Sequence, residues 1–422
     1  MENLVKVAVL LIFLGCYALA VSRRVRLGYL GVASALLILC VVLPAGIMGP
    51  QEVLGTIRWD VLGIYWGFMM LSMVFADSGV PKRLAKHVIK NTKNEGAALL
   101  ALCAITALLS SFLENVGVLL IMAPIAMEVA RRAGSSPLTY LISIALSSNM
   151  VTTVSMVADP PAIILASETG MSFIDFYWFR GRIGLGVISA VGAAAGLAAL
   201  YLAVFRRMKR KIEVREERIK TNYLPLLLFF GGITALALNS HLGIGPGVIG
   251  LSVGALSLII GYKNCRKMMI DFDWNSLLFI MGIFVVVGAT VAVGILQGFA
   301  NFLGRLAMGS PFIALGILVW SSVGMSSFID NVPYTVLMIP VCRELAGAMG
   351  SGYLFPFIYG TLIGTGIGGN ITPVGATANV FACGMLEKRG CRVRLKEYLR
   401  LSLPPTLTSV ALAHLLLLLT WM

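Results

Sequence analysis

The chain reads as long apolar runs separated by short polar clusters. A helix needs about 20 consecutive apolar residues to cross a bilayer core of ~30 Å. That rule marks ten candidate spans: 4–22, 27–46, 60–80, 138–170, 179–205, 223–240, 244–262, 275–298, 352–386 and 400–421. Two further apolar stretches, 97–130 and 311–348, are each interrupted by an acid and need a separate reading. The first run contains Ala18-Leu19-Ala20, which mimics a leader cleavage site. Glu2 beside Lys6 ahead of it, and Arg23, Arg24 and Arg26 behind it, suit a retained helix instead.

The two halves of the chain match each other at a steady offset. Trp59-Asp60 falls on Trp274-Asn275 at 215. Ser110-Ser111-Phe112-Leu113-Glu114-Asn115-Val116 falls on Ser326-Ser327-Phe328-Ile329-Asp330-Asn331-Val332 at 216, as Pro124 does on Pro340. Ser155-Met156-Val157-Ala158 falls on Thr372-Pro373-Val374-Gly375 at 217. Chance matches do not hold an offset this steady. The halves are read as 1–205 and 223–422, joined by a charged linker at 206–222. Each carries five spans and one extra apolar stretch, and an odd number of spans turns the second copy upside down. This is the plan of secondary transporters, whose site lies near the bilayer midplane. The fold predicted is an all-α polytopic membrane protein. It is an inverted repeat of five spans plus one re-entrant helical hairpin each, with discontinuous helices.

The extra stretch of the first half has about 17 apolar residues, then Glu114-Asn115, then about 15 more. At 1.5 Å per residue neither arm comfortably crosses the core. A hairpin that enters and returns on one side, with Glu114-Asn115 at its tip, fits this pattern; its copy around Asp330-Asn331 enters from the opposite side. Two full crossings leave the flanking loops where they are, so loop charge does not choose between the options. A carboxylate at membrane depth costs ~3 kcal/mol or more and faces a cavity or a partner, so Glu114 and Asp330 are functional candidates. The spans that follow are broken as well. Ser147-Ser148-Asn149-Met150-Val151-Thr152-Thr153-Val154-Ser155 leads to Asp159-Pro160-Pro161, and prolines interrupt a helix. The counterpart runs from Gly364 to Asn379 and holds glycines at 364, 366, 368, 369 and 375 around Asn370, Thr372 and Pro373. Unwound backbone survives at membrane depth only where it lines a cavity or is covered by protein. Its free N–H groups suit an anion or neutral oxygen, and its carbonyls suit a cation. Asn370-Ile371-Thr372 also fits the glycosylation pattern, but a position inside the membrane is out of reach.

Composition and charge now have a meaning. With 58% hydrophobic and 12% charged residues, against about 25% charged for soluble domains, an ordinary soluble globule is excluded. The net charge of +14 comes from 33 Lys+Arg over 19 Asp+Glu. If 22–27 is cytoplasmic, that side receives 27 of the 33, leaving Lys6, Arg58, Arg180, Arg182, Arg305 and Arg343 on the other. This positive-inside split places both termini outside a plasma (inner) membrane and accounts for the charge without nucleic acid. The run Arg206-Arg207-Met208-Lys209-Arg210-Lys211 reads as a juxtamembrane lipid anchor rather than an RNA site.

Seven cysteines include no CxxC pair, and His87, His241 and His414 have no second ligand at metal spacing. No metal site, disulfide framework or cofactor is expected. There is no GxxxxGK[ST] phosphate loop, so the chain does not hydrolyse ATP itself. With no nucleophile–base arrangement in view, it is not expected to be an enzyme.

Three segments carry a family resemblance: Ser326 to Pro333, Gly369 to Val380, and Asp159-Pro160-Pro161. The chain resembles the ion transporter superfamily over essentially its whole length, in the branch of ArsB arsenite permeases, the melanosomal P-protein and NhaD sodium/proton antiporters, with their citrate-transporter-like domains. The resemblance implies a scaffold from the first two spans of each half and a transport part, built of hairpins and broken helices, that moves like an elevator. It places functional residues at Glu114, Asn115, Asn149, Asp159, Asp330, Asn331, Asn370, Thr372, Thr377 and Asn379, and the polar Thr152 and Thr153 of the first broken span join them as candidates. The first half departs from the pattern. It has Met150-Val151-Thr152-Thr153 where relatives are glycine-rich, Ala162 where they have Asn, and Glu114 where many have Asp or Asn. These changes weaken the usual sodium site and the dicarboxylate assignment.

The function expected is secondary active transport of a small inorganic solute: ArsB-like arsenite or antimonite efflux coupled to protons. The three midplane acids Glu114, Asp159 and Asp330 are the proton carriers, since a carboxylate removed from water binds a proton more readily. A sodium/proton antiporter or a sodium-coupled dicarboxylate or citrate transporter is the alternative, and a channel is a third reading. The expected partners are the solute, the lipid bilayer, a second copy of the chain, and a separate ATPase meeting the exposed segment 206–220.

Overall fold

The computed structural model describes residues 2–22, 24–90, 92, 94–210 and 219–422. Arg23, Lys93 and the stretch 211–218 of the expected linker lie outside the described residues. The first half contains α1 (Glu2–Ser22), α2 (Leu27–Val42), α3 (Pro50–Thr56), α4 (Trp59–Asp77), α5 (Val80–Lys90), α6 (Glu95–Ser110), α7 (Asn115–Ala133), α8 (Pro137–Asn149), α9 (Pro160–Thr169) and α10 (Leu185–Ala203). The second contains α11 (Leu224–Ala237), α12 (Asn239–Leu242), α13 (Pro246–Ile260), α14 (Cys265–Asp271), α15 (Trp274–Ala292), α16 (Ile295–Leu306), α17 (Pro311–Ser326), α18 (Asn331–Met349), α19 (Leu354–Gly368), α20 (Thr377–Glu387) and α21 (Leu395–Trp421).

Two layers result. In the first, α4 crosses α13 and α2 crosses α15, the same contact made twice by repeat-related helices. Both crossings need glycine. A Cβ on Gly67 would collide with the backbone of Gly250, and one on Gly282 with the backbone of Gly31. Lipid supplies no hydrophobic drive between helices, so such small residues let backbones approach and gain dispersion contacts. The second layer holds both hairpins and both broken helices, with α10 packed along α21. The layers meet where α4 touches α7 and α9 and where α15 touches α18.

The hairpin α6–α7 begins and ends on one side, and Arg210 marks it. Its carbonyl accepts from the Glu95 N–H at 2.8 Å where α6 starts, and its guanidinium donates to the Ala133 and Gly134 carbonyls at 2.7 Å where α7 ends. Arg131 and Arg132 lie in the last turn of α7; we call this side the basic face. The second hairpin, α17–α18, is reached by a turn of 114° from α16, which packs along α18. Pro124 and Pro340 sit at matching places inside α7 and α18.

Several expected spans take a different form. By length and apolarity α1, α4, α10, α15 and α21 suffice to cross a membrane. The runs 27–46, 223–240 and 244–262 yield helices of 16, 14 and 15 residues, and α13 bends by 89° into α14, in a stretch read as loop. The double proline opens α9 rather than ending a helix, since α8 stops at Asn149; at the first helical positions the missing N–H costs nothing. The span expected from 179 starts at Leu185. Before it, Trp178–Phe179 pairs antiparallel with Arg182–Ile183 through a turn with Arg180 at φ 52° and Gly181 at φ 77°. This small ribbon is the one departure from an all-helical chain among the described residues. It is held by Arg180 over the Phe355 ring at 4.7 Å and Arg182 over Trp421 at 5.5 Å.

Candidate functional site

Both hairpin tips and both helix breaks meet at the boundary between the layers, around a cavity of about 870 Å³. Each tip is closed by an acid. Glu114 precedes α7 and accepts from the Val116 and Gly117 N–H groups at 2.9 and 2.7 Å. Asp330 precedes α18 and accepts from the Val332 N–H at 3.2 Å. These caps satisfy helix N–H groups that would otherwise be orphaned at membrane depth and lie at the positive ends of the helix dipoles. Asp159 also precedes its helix, α9, but caps nothing. Its Oδ2 accepts instead from Asn331 Nδ2 at 2.6 Å, tying the broken helix of the first half to the hairpin of the second.

A second polar knot lies behind the cavity. Asn149 Nδ2 donates to Asn370 Oδ1 at 2.9 Å and to Asn379 Oδ1 at 3.0 Å. Asn370 Nδ2 donates to the Leu146 carbonyl and Asn379 Nδ2 to the Gly369 carbonyl, each at 3.0 Å. Tyr398 donates to the Asn370 carbonyl at 3.1 Å. The amides thus replace the backbone bonds that the breaks in α8–α9 and α19–α20 forgo.

This sorts the candidate residues. Thr153 is paired with Ser189 at 2.8 Å, Thr372 donates to the Ser327 carbonyl, and Asn370 and Asn379 belong to the knot; none of these four lines the cavity. Glu114, Asn115, Asn149, Thr152, Asp159, Asp330, Asn331 and Thr377 do line it. Several polar lining residues escaped the sequence reading, among them Asp77, Asp271, Asp273, Ser72 and Thr365. Ser72 sits in an apolar span with nothing to flag it, and Thr365 stands inside the glycine-rich run without drawing notice. The Ser72 Oγ, Asn115 Oδ1, Thr152 Oγ1 and Thr365 Oγ1 atoms are all buried and have no hydrogen-bond partner.

The charges around the cavity are one-sided. Its lining holds six acids, Asp77, Glu114, Asp159, Asp271, Asp273 and Asp330, against two cations among the described residues, Lys82 and Lys267. At the opposite face the layers are bolted together. Glu168, at the end of α9, pairs with Arg58 at 2.6 Å and with Arg343 at 2.9 Å. Tyr17 of α1 donates to the Pro333 carbonyl of α18 at 2.6 Å. The cavity therefore opens toward the basic face and is shut on the other.

Comparison with known proteins agrees with this geometry. The chain is similar to an uncharacterized transporter of Mycobacterium tuberculosis H37Rv, with 29% identity over 419 residues, covering 95% of this chain and 96% of the relative. It is similar to the mouse P protein, with 24% identity over 491 residues, covering 94% of this chain and 58% of that one. In fold it is similar to the Alcanivorax borkumensis YdaH transporter, described as having an unusual topology, with a TM-score of 0.58 and 15% identity over 87% of this chain and 86% of that one. The model of the citrate transporter family CitMHS matches residues 17–359. A multi-pass helical protein with broken helices around a shared cavity, matched by that model over most of its length, is a membrane transporter that belongs to the CitMHS family.

Proposed function

We propose that the chain is a proton-coupled secondary transporter that exports a small uncharged inorganic solute, arsenite or antimonite, by elevator-like alternating access. The basic face is taken as cytoplasmic, in a plasma (inner) membrane, with the solute loading from that side. The observation that carries the reading is the charge of the cavity, whose lining sets six carboxylates, with amides and hydroxyls among them, against two lysines. An unaccompanied citrate, the solute in the family's name, would meet six carboxylates against two lysines. A neutral trihydroxide escapes that repulsion, and an acid that alternates between its charged and protonated forms supplies the coupling. Movement of the hairpin layer against the glycine-crossed layer is favoured by the limited contact between them, centred on α4 and α15. The halves 1–205 and 223–422 then each contribute a hairpin and a broken helix to the moving part. The second reading is a sodium/proton antiporter, in which the same acids bind sodium and protons in turn.

The test is a pH gradient across everted vesicles. Arsenite or antimonite, and not sodium, should dissipate it. Dissipation by sodium alone selects the antiporter; dissipation by citrate, with or without a divalent cation, selects the organic anion. Asp330→Asn sharpens the test, because Asn is as good a helix cap as Asp but carries no charge. Cells expressing that variant should lose resistance to arsenite while the protein accumulates normally, and full resistance would remove Asp330 from the mechanism.

A further inference from the structure

The two halves exchange contacts: α9 packs on α18, and α20 packs on α7. The repeat offsets make these two crossings equivalent. Asp159 falls on Ala376 at 217, and Asn331 falls on Asn115 at 216. Asp159 and Ala376 each precede their helix, and Asn115 and Asn331 each begin theirs. The chemistry at the two crossings differs. At the first, Asn331 donates to Asp159 at 2.6 Å. At the second, the carboxylate is replaced by the methyl of Ala376, and Asn115 Oδ1 is left buried with no partner.

Three more buried unpartnered oxygens, those of Ser72, Thr152 and Thr365, line the same cavity as Asn115, whereas those of Ser110, Ser143 and Asn239 lie away from it. Ser72 Oγ lies 2.9 Å from where a Cβ on Gly117 would stand, two residues after Asn115. Thr152 Oγ1 fills the space a Cβ on Gly366 would need, beside Thr365. Glycine at those two positions is what lets the hydroxyls come so near. Asn115, Ser72, Thr152 and Thr365 are 6%, 2%, 1% and 0% exposed, and all line the one cavity. Buried oxygens without partners are costly and are kept where a ligand completes them.

We infer that the duplication has divided two tasks between its crossings: Asp159 with Asn331 carries the coupling proton, and Asn115 with Ser72, Thr152 and Thr365 receives the solute. The subsite offers three hydroxyls that give or take a hydrogen bond and one amide oxygen that only takes. Its complement is a small neutral solute bearing several hydroxyl groups. Asp159 takes up one proton from one side and gives one proton to the other, so each cycle moves one. Glu114 on α7, Asp330 on α18 and Tyr65 on α4 are the titratable groups around it; the first two are engaged as helix caps. This division rests on the proton-coupled reading above.

The experiment uses the full chain in proteoliposomes, with arsenite and antimonite as probes in two modes: counterflow, which needs no net proton movement, and uptake driven by a pH gradient. Asn115→Ala and Thr365→Val should raise KM tenfold or more in both modes and leave the pH profile unchanged. Asp159→Asn should keep the counterflow KM within twofold and abolish gradient-driven accumulation. Wild-type KM in both Asn115→Ala and Thr365→Val, or loss of counterflow in Asp159→Asn, overturns the division. Thr365→Val keeps the side-chain shape and stands in should Asn115→Ala fail to fold. Thermal-shift titration of the purified protein with arsenite, antimonite and sodium separates this inference from the transport reading. A saturable shift that Asn115→Ala loses and Asp159→Asn keeps supports the subsite even where no gradient-driven flux is seen. A shift from sodium alone overturns the neutral-solute class, and no shift with any of the three overturns the subsite.

Discussion

The two faces of the molecule are built by the same duplicated segments and do opposite things. On the face poor in Lys and Arg, Glu168 holds Arg58 of the glycine-crossed layer and Arg343 of the second hairpin, and Tyr17 holds Pro333. Toward the basic face the cavity lining reaches Asp77 and Lys82, where α4 passes into α5, and Lys267 and Asp271 on α14. The repeat offsets show why. Arg58, Glu168 and Arg343 fall on Asp273, Met385 and Met127, and one acid with two thioethers makes no ion pair. An inverted repeat with identical copies would have no preferred side. On the alternating-access reading proposed above, divergence at three positions gives the resting state a direction, open to the face where positive charge collects.

Breaking the bolt should have the largest effect on that comparison. Removing one partner of a buried pair costs about 3–5 kcal/mol. With the Arg58 and Arg343 side chains 40% and 41% exposed, solvent screening lowers this to about 2–3 kcal/mol, roughly 30- to 150-fold in population. Glu168→Arg should therefore move the protein away from the state open to the basic face. The measurement is the labelling rate of Thr377→Cys, an exposed cavity position, by an impermeant maleimide from that face in a cysteine-free background. The rate should fall by a similar factor, and Arg58→Glu on top of Glu168→Arg should recover part of it. An unchanged rate would mean that the ion pairs only decorate the surface.

How much of this could be read from the sequence depends on whether the signal was local. The hairpins, the broken helices and the inversion were legible, because an acid inside an apolar run and a steady repeat offset are local features. Of the acids at the site, Glu114, Asp159 and Asp330 were found for the same reason. Three things were not. Asn370 and Asn379 look like ligands in sequence, yet their amides are used to splice two helix breaks, which only the approach of Asn149 across 221 and 230 residues reveals. Ser72 carries no signal inside an apolar helix until Gly117 is seen beside it. Arg58 and Arg343 were only counted among the basic residues of the sparser side and Glu168 drew no reading, because pairs separated by 110 and 175 residues leave no trace in spacing.

Tyr17 offers a smaller step. Its hydroxyl makes one neutral hydrogen bond to Pro333, worth about 0.5–1.5 kcal/mol. Tyr17→Phe should slow the same labelling reaction by roughly two- to tenfold, less than the loss of Glu168 and additive with it, since the two contacts share no atom. A loss equal to that of Glu168→Arg would place the main bolt on α1 instead.

The smallest expected effect comes from trying to equalise the faces. Met385 occupies the Glu168 position of the second copy, and the Arg58 position of that copy is already an acid, Asp273. Met385→Arg sets a cation opposite it and so builds the same contact with its charges reversed. An exposed pair contributes only about 0.2–1 kcal/mol. Asp273 Oδ1 also stays engaged with the Ser276 N–H at the start of α15, so the new contact must compete for it. The gain belongs to whichever state brings the layers together at the basic face, and maleimide labelling at Thr377→Cys from that face should fall by no more than about fivefold. Combined with Glu168→Gln, which leaves the opposite face unbolted, the substitution should push the preference past the balance point, so that labelling from the opposite face becomes the faster of the two. If labelling stays faster from the basic face in that double variant, the direction of the resting state is set by the helix packing at α4 and α15 and not by these charges.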